Sequence, residues 1–129
     1  MESLQNLVGR LTQGYLSEAA KYKNIFVNEV PSDLGIEYNH SWVCSIINGL
    51  FNTIVQHSRE TCIRISARRY GYVMVLEVKE SGSVNGYAMA CGLQEINSLA
   101  EKIGGCLSIS VQQPTTTVAF SFPNLPLAN

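Results

Sequence analysis

The chain has 129 residues, a length that suits one domain built around one hydrophobic core. Apolar residues make up 46% of it and charged residues 15%, a composition that excludes an intrinsically disordered chain. Ten acidic side chains against nine basic ones leave a formal net charge of -1. This near-zero net charge favours neither nucleic acid nor a membrane surface as the main partner.

The N-terminus and the cysteines indicate a cytoplasmic protein. Met-Glu-Ser opens the chain without the basic stretch and apolar run of a signal peptide, and no apolar stretch approaches the ~20 residues of a membrane span. Three of the four cysteines lie in apolar periodic segments, and no two have C-x-x-C spacing. We therefore expect buried, reduced thiols, rather than disulfides or metal ligands, at Cys44, Cys62, Cys91 and Cys106.

The first part of the chain predicts a helix, a strand and a second helix. Apolar residues recur at helical spacing over residues 2–22. Gly14 weakens that helix by about 1 kcal/mol relative to alanine, so its middle can bend. Residues 24–30 indicate a strand that Pro31 terminates. The second helix is predicted over residues 41–57, where apolar side chains cluster on one side.

The middle of the chain predicts a hairpin followed by a third helix. Residues 61–68 and 72–80 are β-rich and are separated by a short Arg-Tyr-Gly turn. A loop of small residues over 81–90 then leads into a helix at about 91–102. That helix ends at Gly104-Gly105, because glycine is the usual residue just past a helix C-terminus.

A second hairpin, over residues 106–112 and 115–122, completes the pattern. The predicted order is α-β-α-β-β-α-β-β in a single domain spanning 1–129. This order predicts an α+β fold: a two-layer sandwich with a mixed, mostly antiparallel sheet that helices cover on one face.

Asn48 and Asn52 are the pair of residues that most needs an explanation. They are four apart on the second predicted helix, so they share a face, which lies roughly opposite the apolar stripe. Asparagine costs about 0.6 kcal/mol relative to alanine inside a helix. Two aligned amides could hold a water molecule, a metal ion or a phosphate oxygen, or they could simply belong to a solvated helix face.

The segments around this pair carry a resemblance that spans nearly the whole chain. Asn48-Gly-Leu-Phe-Asn52-Thr resembles the asparagine box of the GHKL (Bergerat-fold) ATPases, especially the sensor histidine kinases. The other boxes of that family resemble, in order, Val78-Lys-Glu80-Ser-Gly82, Ala88-Met-Ala90-Cys-Gly92-Leu93, Gly104-Gly105 and the strand from Thr115 to Pro123.

The resemblance implies an ATP site that holds Mg²⁺. The cofactor-binding residues that it implies are Asn48, Asn52, Glu80, Gly82, Gly92, Leu93 and Thr116. Asn52 stands where the family binds the magnesium ion. Glu80 replaces the aspartate that accepts the adenine amino group, and Thr116 matches the threonine that bonds to that carboxylate, so we expect a Glu80–Thr116 contact. Gly92 is expected just ahead of a helix N-terminus that would favour an anion.

Other positions depart from the family pattern, and all of them affect the nucleotide pocket. Val84, Ala88 and Ala90 replace glycines that allow close backbone approach, and Val55 replaces a lysine that is often present. The segment between Gly82 and Gly92 is too short for the mobile lid over ATP, so the lid is nearly absent. Without a lid, water is not excluded from the phosphates. These departures predict that nucleotide binding is weak or lost.

The remaining polar residues do not supply the missing chemistry. His40 precedes a predicted helix and His57 ends it, so neither stands on the two-helix hairpin that carries a phosphoacceptor histidine in this family. Asn48 is not a carboxylate, so a general base for autonomous hydrolysis is missing. The basic strip Arg64, Arg68 and Arg69 indicates a solvated strand face rather than a nucleic-acid site.

Two functions remain open at this stage. The first is a histidine-kinase-like ATP-binding domain in two-component signalling, with weakened nucleotide binding and no catalysis of its own. The second is a pseudo-ATPase that binds a kinase or a response regulator as a protein-interaction module. A serine kinase of the anti-sigma-factor type is a weaker alternative, because it requires an acidic residue at position 48, a full glycine box and a lid.

Overall fold

The computed structural model describes residues 2–84, 86–112 and 114–125. The helices within these residues are α1 Leu4–Gln13, α2 Leu16–Lys21, α3 His40–His57 and α4 Gly86–Lys102. The strands are β1 Ile25–Asn28, β2 Ser58–Arg59, β3 Cys62–Tyr70, β4 Val73–Glu80, β5 Ser83–Val84, β6 Cys106–Gln112 and β7 Thr115–Pro123. No helix in the described part of the chain has the length and apolar character needed to cross a bilayer.

Five strands form one mixed sheet in the order β1-β3-β4-β7-β6. β1 pairs with β3 in parallel, and each of the other pairs in this sheet is antiparallel. Because side chains alternate along a strand, one face carries buried residues such as Ile65, Leu76 and Phe120. The helices pack on that face and leave the other open. The predicted α+β two-layer sandwich is therefore confirmed.

α3 is the central helix of the covering layer. It contacts α1 and α2 on one side and α4 on the other. The residues of its apolar face are almost completely removed from solvent: Val43, Ile46, Ile47, Leu50, Phe51, Ile54 and Val55. Each such side chain contributes roughly 1.5–3 kcal/mol through burial, so this face of α3 is a major source of stability.

The predicted helix over residues 2–22 is in fact two helices. Ser3 caps α1 by accepting a hydrogen bond from the Asn6 N–H at 3.0 Å. α1 ends at Gln13, and Gly14 and Tyr15 form the turn into α2. The sequence allowed a bend at Gly14, and the structure breaks the helix there, because the turn lets α2 follow the surface of α3.

Glu2 fastens the start of the chain to α1 and α3. Its Oε1 accepts a hydrogen bond from Arg10 Nη2 at 3.0 Å and lies 2.7 Å from His40 Nε2. The Asn6 amide donates to Oε2 at 2.7 Å. Arg10, followed by His40, lowers the pKa of Glu2 to about 2. Glu2 is therefore ionised at neutral pH and holds the first turn of α1 beside the first residue of α3.

The expectation that α4 begins near residue 91 is wrong, because α4 begins at Gly86. Its apolar stripe starts at Met89, which is fully buried, and continues at i+4 and i+7 through Leu93 and Ile96. The small residues of this segment suggested a glycine-type loop. Burial of Met89 against the core adds a first turn that the local composition does not reveal.

The expectation of buried thiols is also wrong. All four cysteines are free, but Cys62, Cys91 and Cys106 are exposed and Cys44 is only half-buried. The alternation of a strand explains Cys62, which shares the open face with Arg64 while Ile63 points into the core. The prediction treated an apolar segment as buried throughout, whereas only every second strand residue is.

The glycine pair after α4 behaves as predicted, and Gly105 has a packing role as well. Gly104 adopts the left-handed conformation with φ of 80°, and the Gly105 N–H donates to Ala100 O at 2.9 Å. A Cβ on Gly105 would collide with the carbonyl oxygen of Ser121 and lie 3.3 Å from Phe122 Cα. Both obstacles are backbone atoms of β7, which cannot move aside like the end of a side chain.

We predict that Gly105→Ala lowers the free energy of unfolding by about 1–3 kcal/mol, because it overpacks the start of β6 against β7. Gly9→Ala is the control, since Gly9 lies inside α1 and its new Cβ would be 3.7 Å from the nearest atom, Asn28 Nδ2. That variant should gain about 0.5–1 kcal/mol. Chemical denaturation of both variants checks the pair, and equal stabilities would contradict the packing described here.

Candidate functional site

The two asparagines of α3 lie on its exposed face, as predicted. Asn48 is engaged there, since its Oδ1 and its backbone oxygen accept from the Tyr15 hydroxyl at 3.0 and 3.1 Å. Asn52 is exposed, and its amide makes no hydrogen bond within the described residues. Asn48 is thus committed to the turn between α1 and α2, while Asn52 remains available to solvent.

Glu80 lies at the end of β4 and is the buried acidic residue of the site. It is 3% exposed, and its neighbour across the sheet is Thr116 of β7, which is also buried. Oε2 accepts a hydrogen bond from the Gly82 N–H at 3.2 Å, whereas Oε1 is buried without a hydrogen-bond partner among the described residues. The structure therefore places Glu80 and Thr116 opposite each other, as the resemblance implied.

Burial controls the ionisation of Glu80. Loss of solvent raises the pKa of its carboxyl, because the charged form is poorly solvated there. The Gly82 N–H and the hydroxyls of Thr61 and Thr116 act in the opposite direction, but more weakly. A buried acid with one oxygen left unpaired is costly, and such groups are found more often at functional sites than elsewhere.

Gly82 is a position where only glycine fits. Its N–H and that of Ser81 donate to Thr61 Oγ1 at 3.0 and 3.2 Å. A Cβ on Gly82 would lie 2.5 Å from Thr61 Cβ and 2.8 Å from the Arg59 carbonyl oxygen. Thr61 is a site residue that the sequence reading missed, because a threonine just before a strand carries no distinctive pattern.

Two further features of this turn were missed. β5 pairs with β2, so the chain after Gly82 runs beside the C-terminal end of α3. Asn24 joins the same region: its amide donates to Ser58 O at 2.9 Å, and its Oδ1 accepts from the Thr61 N–H at 3.3 Å. Strands of two residues are too short to leave a periodic signal, and the role of Asn24 depends on contacts more than 30 residues away in sequence.

Gly92 and Leu93 do not form a phosphate loop. Both lie inside α4, so the expectation that Gly92 precedes a helix N-terminus is wrong. A Cβ on Gly92 would lie 2.9 Å from Thr53 Cγ2 of α3. Gly92 therefore serves the close approach of α4 to α3, and Leu93, 5% exposed, is a core residue.

The positions that depart from the family pattern have local structural roles. Val55 is completely buried in the core, where a lysine would leave its ammonium without water. Ala88 and Ala90 are half-buried helix residues of α4. Val84 belongs to β5, and its side chain lies outside the described residues, as does Asn85. β5 and the start of α4 lie in the segment between Gly82 and Gly92.

Neither histidine reaches Glu80. His57 Nδ1 lies 2.8 Å from the Thr53 carbonyl oxygen, one turn earlier in α3, and His40 contacts Glu2. Within the described residues, no group of three His, Cys, Asp or Glu side chains is arranged to hold a metal ion. Two residues of the basic strip are paired at the surface, since Arg64 lies 3.6 Å from Glu29 and Arg69 lies 3.3 Å from Glu37.

Comparison with known proteins gives a clear result for the fold. No protein-family model and no curated protein sequence matches the chain. Among solved structures, it is similar to the histidine kinase AdeS of Acinetobacter baumannii, with a TM-score of 0.81 and 11% identity over 95% of this chain and 65% of that one. It is also similar to full-length ShkA in complex with AMPPNP, with a TM-score of 0.77 and 13% identity over 99% and 31%.

Histidine kinase ThkA provides a comparison at the level of the domain. Its isolated catalytic domain gives a TM-score of 0.73 and 13% identity over 95% of this chain and 93% of that one. ThkA in complex with the response regulator protein TrrA gives a TM-score of 0.75 and 17% identity over 97% and 41%. The chain thus spans nearly all of the isolated ThkA catalytic domain, but only 31%, 41% and 65% of the longer ShkA, ThkA and AdeS chains. It has the fold of the ATPase domain of sensor histidine kinases.

Proposed function

We propose that this domain acts in two-component signal transduction as a histidine-kinase-like domain with weak or lost nucleotide binding, and that it works by binding a protein partner. One observation carries the proposal: α4 packs directly onto α3 from its first turns, through Met89, Gly92 and Thr53. In the fold family, this is the side on which a loop and a lid hold the phosphates. Here a continuous helix occupies it.

The residues present fit only part of an ATP molecule. The unpaired Oε1 of Glu80 is an acceptor suited to an amino group such as that of adenine, and Thr116 stands beside it. The phosphate side does not fit, because Ala90 and Gly92 lie beyond the first turn of α4, where their N–H groups bond within the helix. No chemical step is therefore assigned to a bound nucleotide.

The site also offers few ligands for Mg²⁺. Mg²⁺ prefers oxygen ligands in octahedral geometry and is usually held by carboxylates together with substrate phosphates. Asn52 is a single neutral amide on an exposed helix face, and the nearby Asn48 is occupied by Tyr15. Asn52 is a single ligand, so an ion there would need further oxygen ligands from nucleotide phosphates. α4 occupies the side on which a loop would bind those phosphates.

For catalysis by the domain alone, the described residues offer neither a general base at position 48 nor a histidine free to accept a phosphoryl group. Position 48 offers an amide, which cannot activate water. His40 is engaged by Glu2, and His57 contacts the backbone of its own helix. The remaining functional surface is a partner-binding one. A kinase or a response regulator is the partner that we propose, since ThkA, a domain of the same fold, has been solved in complex with the response regulator protein TrrA.

Retained ATP binding is the second candidate function. The unsatisfied Oε1 of Glu80 favours it, because a buried acceptor without a donor costs about 1–3 kcal/mol, which a ligand would relieve. ShkA, solved in complex with AMPPNP, has the same fold. The two candidates differ in whether the pocket opens between α3 and α4.

We predict that Mg-ATP and Mg-ADP, each at about 1 mM, leave the melting temperature unchanged, because α4 fills the phosphate side. A ligand at about 100 times its dissociation constant would instead stabilise the protein by about 2.7 kcal/mol. Thermal shift and calorimetry measure this, with a nucleotide-binding histidine kinase domain as positive control. A shift that disappears in Glu80→Gln but persists in Glu77→Gln, on the same strand, would show adenine-site binding and contradict the proposal.

The ionisation of Glu80 gives a prediction that needs no ligand. In the folded protein the pKa of Glu80 is raised above the ordinary value of 4.5. Between pH 4.5 and this raised pKa, the folded protein therefore keeps a proton that the unfolded chain has released. The contribution of Glu80 to the free energy of unfolding therefore falls as pH rises from 4.5 towards the raised pKa. Glu80→Gln should remove this dependence of stability on pH. Above the raised pKa of Glu80, the variant should be more stable than the wild type.

Denaturant titrations at several pH values between 4 and 8 measure this slope, with Glu77→Gln as the matched control on β4. The control should retain the wild-type dependence around Glu80. A Glu80→Gln variant that loses stability relative to the wild type as pH rises would contradict the raised pKa.

A further inference from the structure

β6 is an edge strand, and it lies in a region of the chain without charge. From Ile103 onward the sequence contains no Asp, Glu, Lys, Arg or His. β6 runs from Cys106 to Gln112, and among the described strands it pairs with β7 alone. Exposed edge strands are usually protected against pairing with other strands by charges, proline, bulges or a covering element. Cys106–Gln112 contains neither a charge nor a proline.

The opposite edge of the same sheet is protected in these ways. β1 has only four residues and is flanked by Lys23 and Glu29. α1 also contacts it, and the Asn28 amide donates to the Gln5 backbone oxygen at 3.0 Å. The two edges therefore differ in length and in charge, while each is contacted by a helix, α1 at β1 and α4 at β6.

The backbone groups of β6 define which residues can pair outward. The Leu107 N–H donates to the Asn97 side-chain oxygen at 2.8 Å and so points away from β7. Because hydrogen-bonding direction alternates along an antiparallel strand, Ile109 and Val111 also direct their N–H and C=O groups outward. Asn97 satisfies the outward donor of Leu107, whereas those of Ile109 and Val111 face solvent.

The side chains of the same residues form an apolar row. Leu107 and Ile109 are half-buried against the core, and Val111 is 52% exposed. A cavity of about 140 Å³ lies between α4 and β6, beside Leu107 and Leu93. On the other side of the strand, Cys106, Ser108, Ser110 and Gln112 are small or neutral polar residues.

We propose that β6 pairs antiparallel with β6 of a second copy of this chain, about a two-fold axis at Ile109. In this register Ile109 faces itself, and Leu107 faces Val111 of the second copy. Val111 of each copy then covers the cavity beside Leu107 of the other. The Ile109 N–H and C=O groups bond to their counterparts, and the Val111 N–H bonds to the Leu107 C=O of the second copy. The Val111 C=O takes the place of the Asn97 oxygen at the Leu107 N–H of the second copy, and the Asn97 side chain turns aside. The two sheets become one continuous sheet.

The residue pattern favours a second copy over another partner. The register puts apolar side chains opposite apolar ones on the helix side, and Ser108 opposite Ser110 on the open side, so the strand is complementary to itself. It offers no charge that would select an acidic or basic peptide, and none that would repel an identical strand. Each copy has one such edge, so the pairing closes at a dimer.

The oligomeric state in solution tests the pairing. Interfaces of one strand pair lie at the small end, below about 1,200 Å², so sedimentation should be measured from about 10 to 500 μM. We expect a monomer–dimer equilibrium that Val111→Lys shifts at least tenfold towards monomer. Val73→Lys is the matched control, since Val73 is 42% exposed but lies on an interior strand, and it should leave the equilibrium unchanged. A monomeric wild type, larger assemblies, or a dimer insensitive to Val111→Lys would overturn the proposal.

A disulfide identifies the register without destabilising the edge. A two-fold axis at Ile109 places Gln112 opposite the native Cys106 of the second copy, at a non-hydrogen-bonded position with Cα atoms about 4.5 Å apart. That separation permits a disulfide. Gln112→Cys should yield a dimer cross-linked between positions 106 and 112 under mild oxidation, and Gln13→Cys, on α1, should not. Absence of this cross-link in folded Gln112→Cys would overturn the register. The pairing does not depend on whether nucleotide binds, so it can fail or hold separately from the proposed function.

Discussion

The close approach of α4 to α3 is the constraint on which the rest of the structure depends. Gly92 allows it, because a Cβ there would lie 2.9 Å from Thr53 Cγ2. Once the helices meet at this distance, Met89 is drawn into the core and α4 starts at Gly86. α4 therefore packs beside α3 from its first turns, and tertiary contacts rather than local composition set where the helix begins.

Glu80 is a buried acid whose surroundings satisfy only one of its two oxygens. Its carboxyl is buried, one oxygen has no donor, and burial raises its pKa. A neutral residue of similar shape would avoid this penalty. Its neighbours remain arranged around it, since the Gly82 N–H donates to it and Thr116 stands across the sheet. These contacts leave Glu80 Oε1 as a buried acceptor without a donor among the described residues.

The surfaces left open by the fold point towards protein contacts. One sheet face has no helical cover, and β6 offers an uncharged edge beside an apolar cavity. β1, at the other edge, is short and held by α1. At the β6 edge, Asn97 of α4 accepts from the outward N–H of Leu107, and Ile109 and Val111 follow along the strand.

The sequence by itself determined the layered α+β fold, the order of the long elements and the glycine stop after α4, because these depend on local periodicity and backbone preference. It also placed Glu80 and Thr116 on neighbouring strands, where the register puts them opposite each other. It misplaced the start of α4, the exposure of the cysteines and the role of Gly92. Only the tertiary structure decided those, because the helical state of residues 86–90 depends on burying Met89, and the role of Gly92 depends on Thr53, 39 positions away. Long-range packing leaves no local sequence pattern. It places Gly92 at the contact between α3 and α4 rather than just ahead of a helix N-terminus.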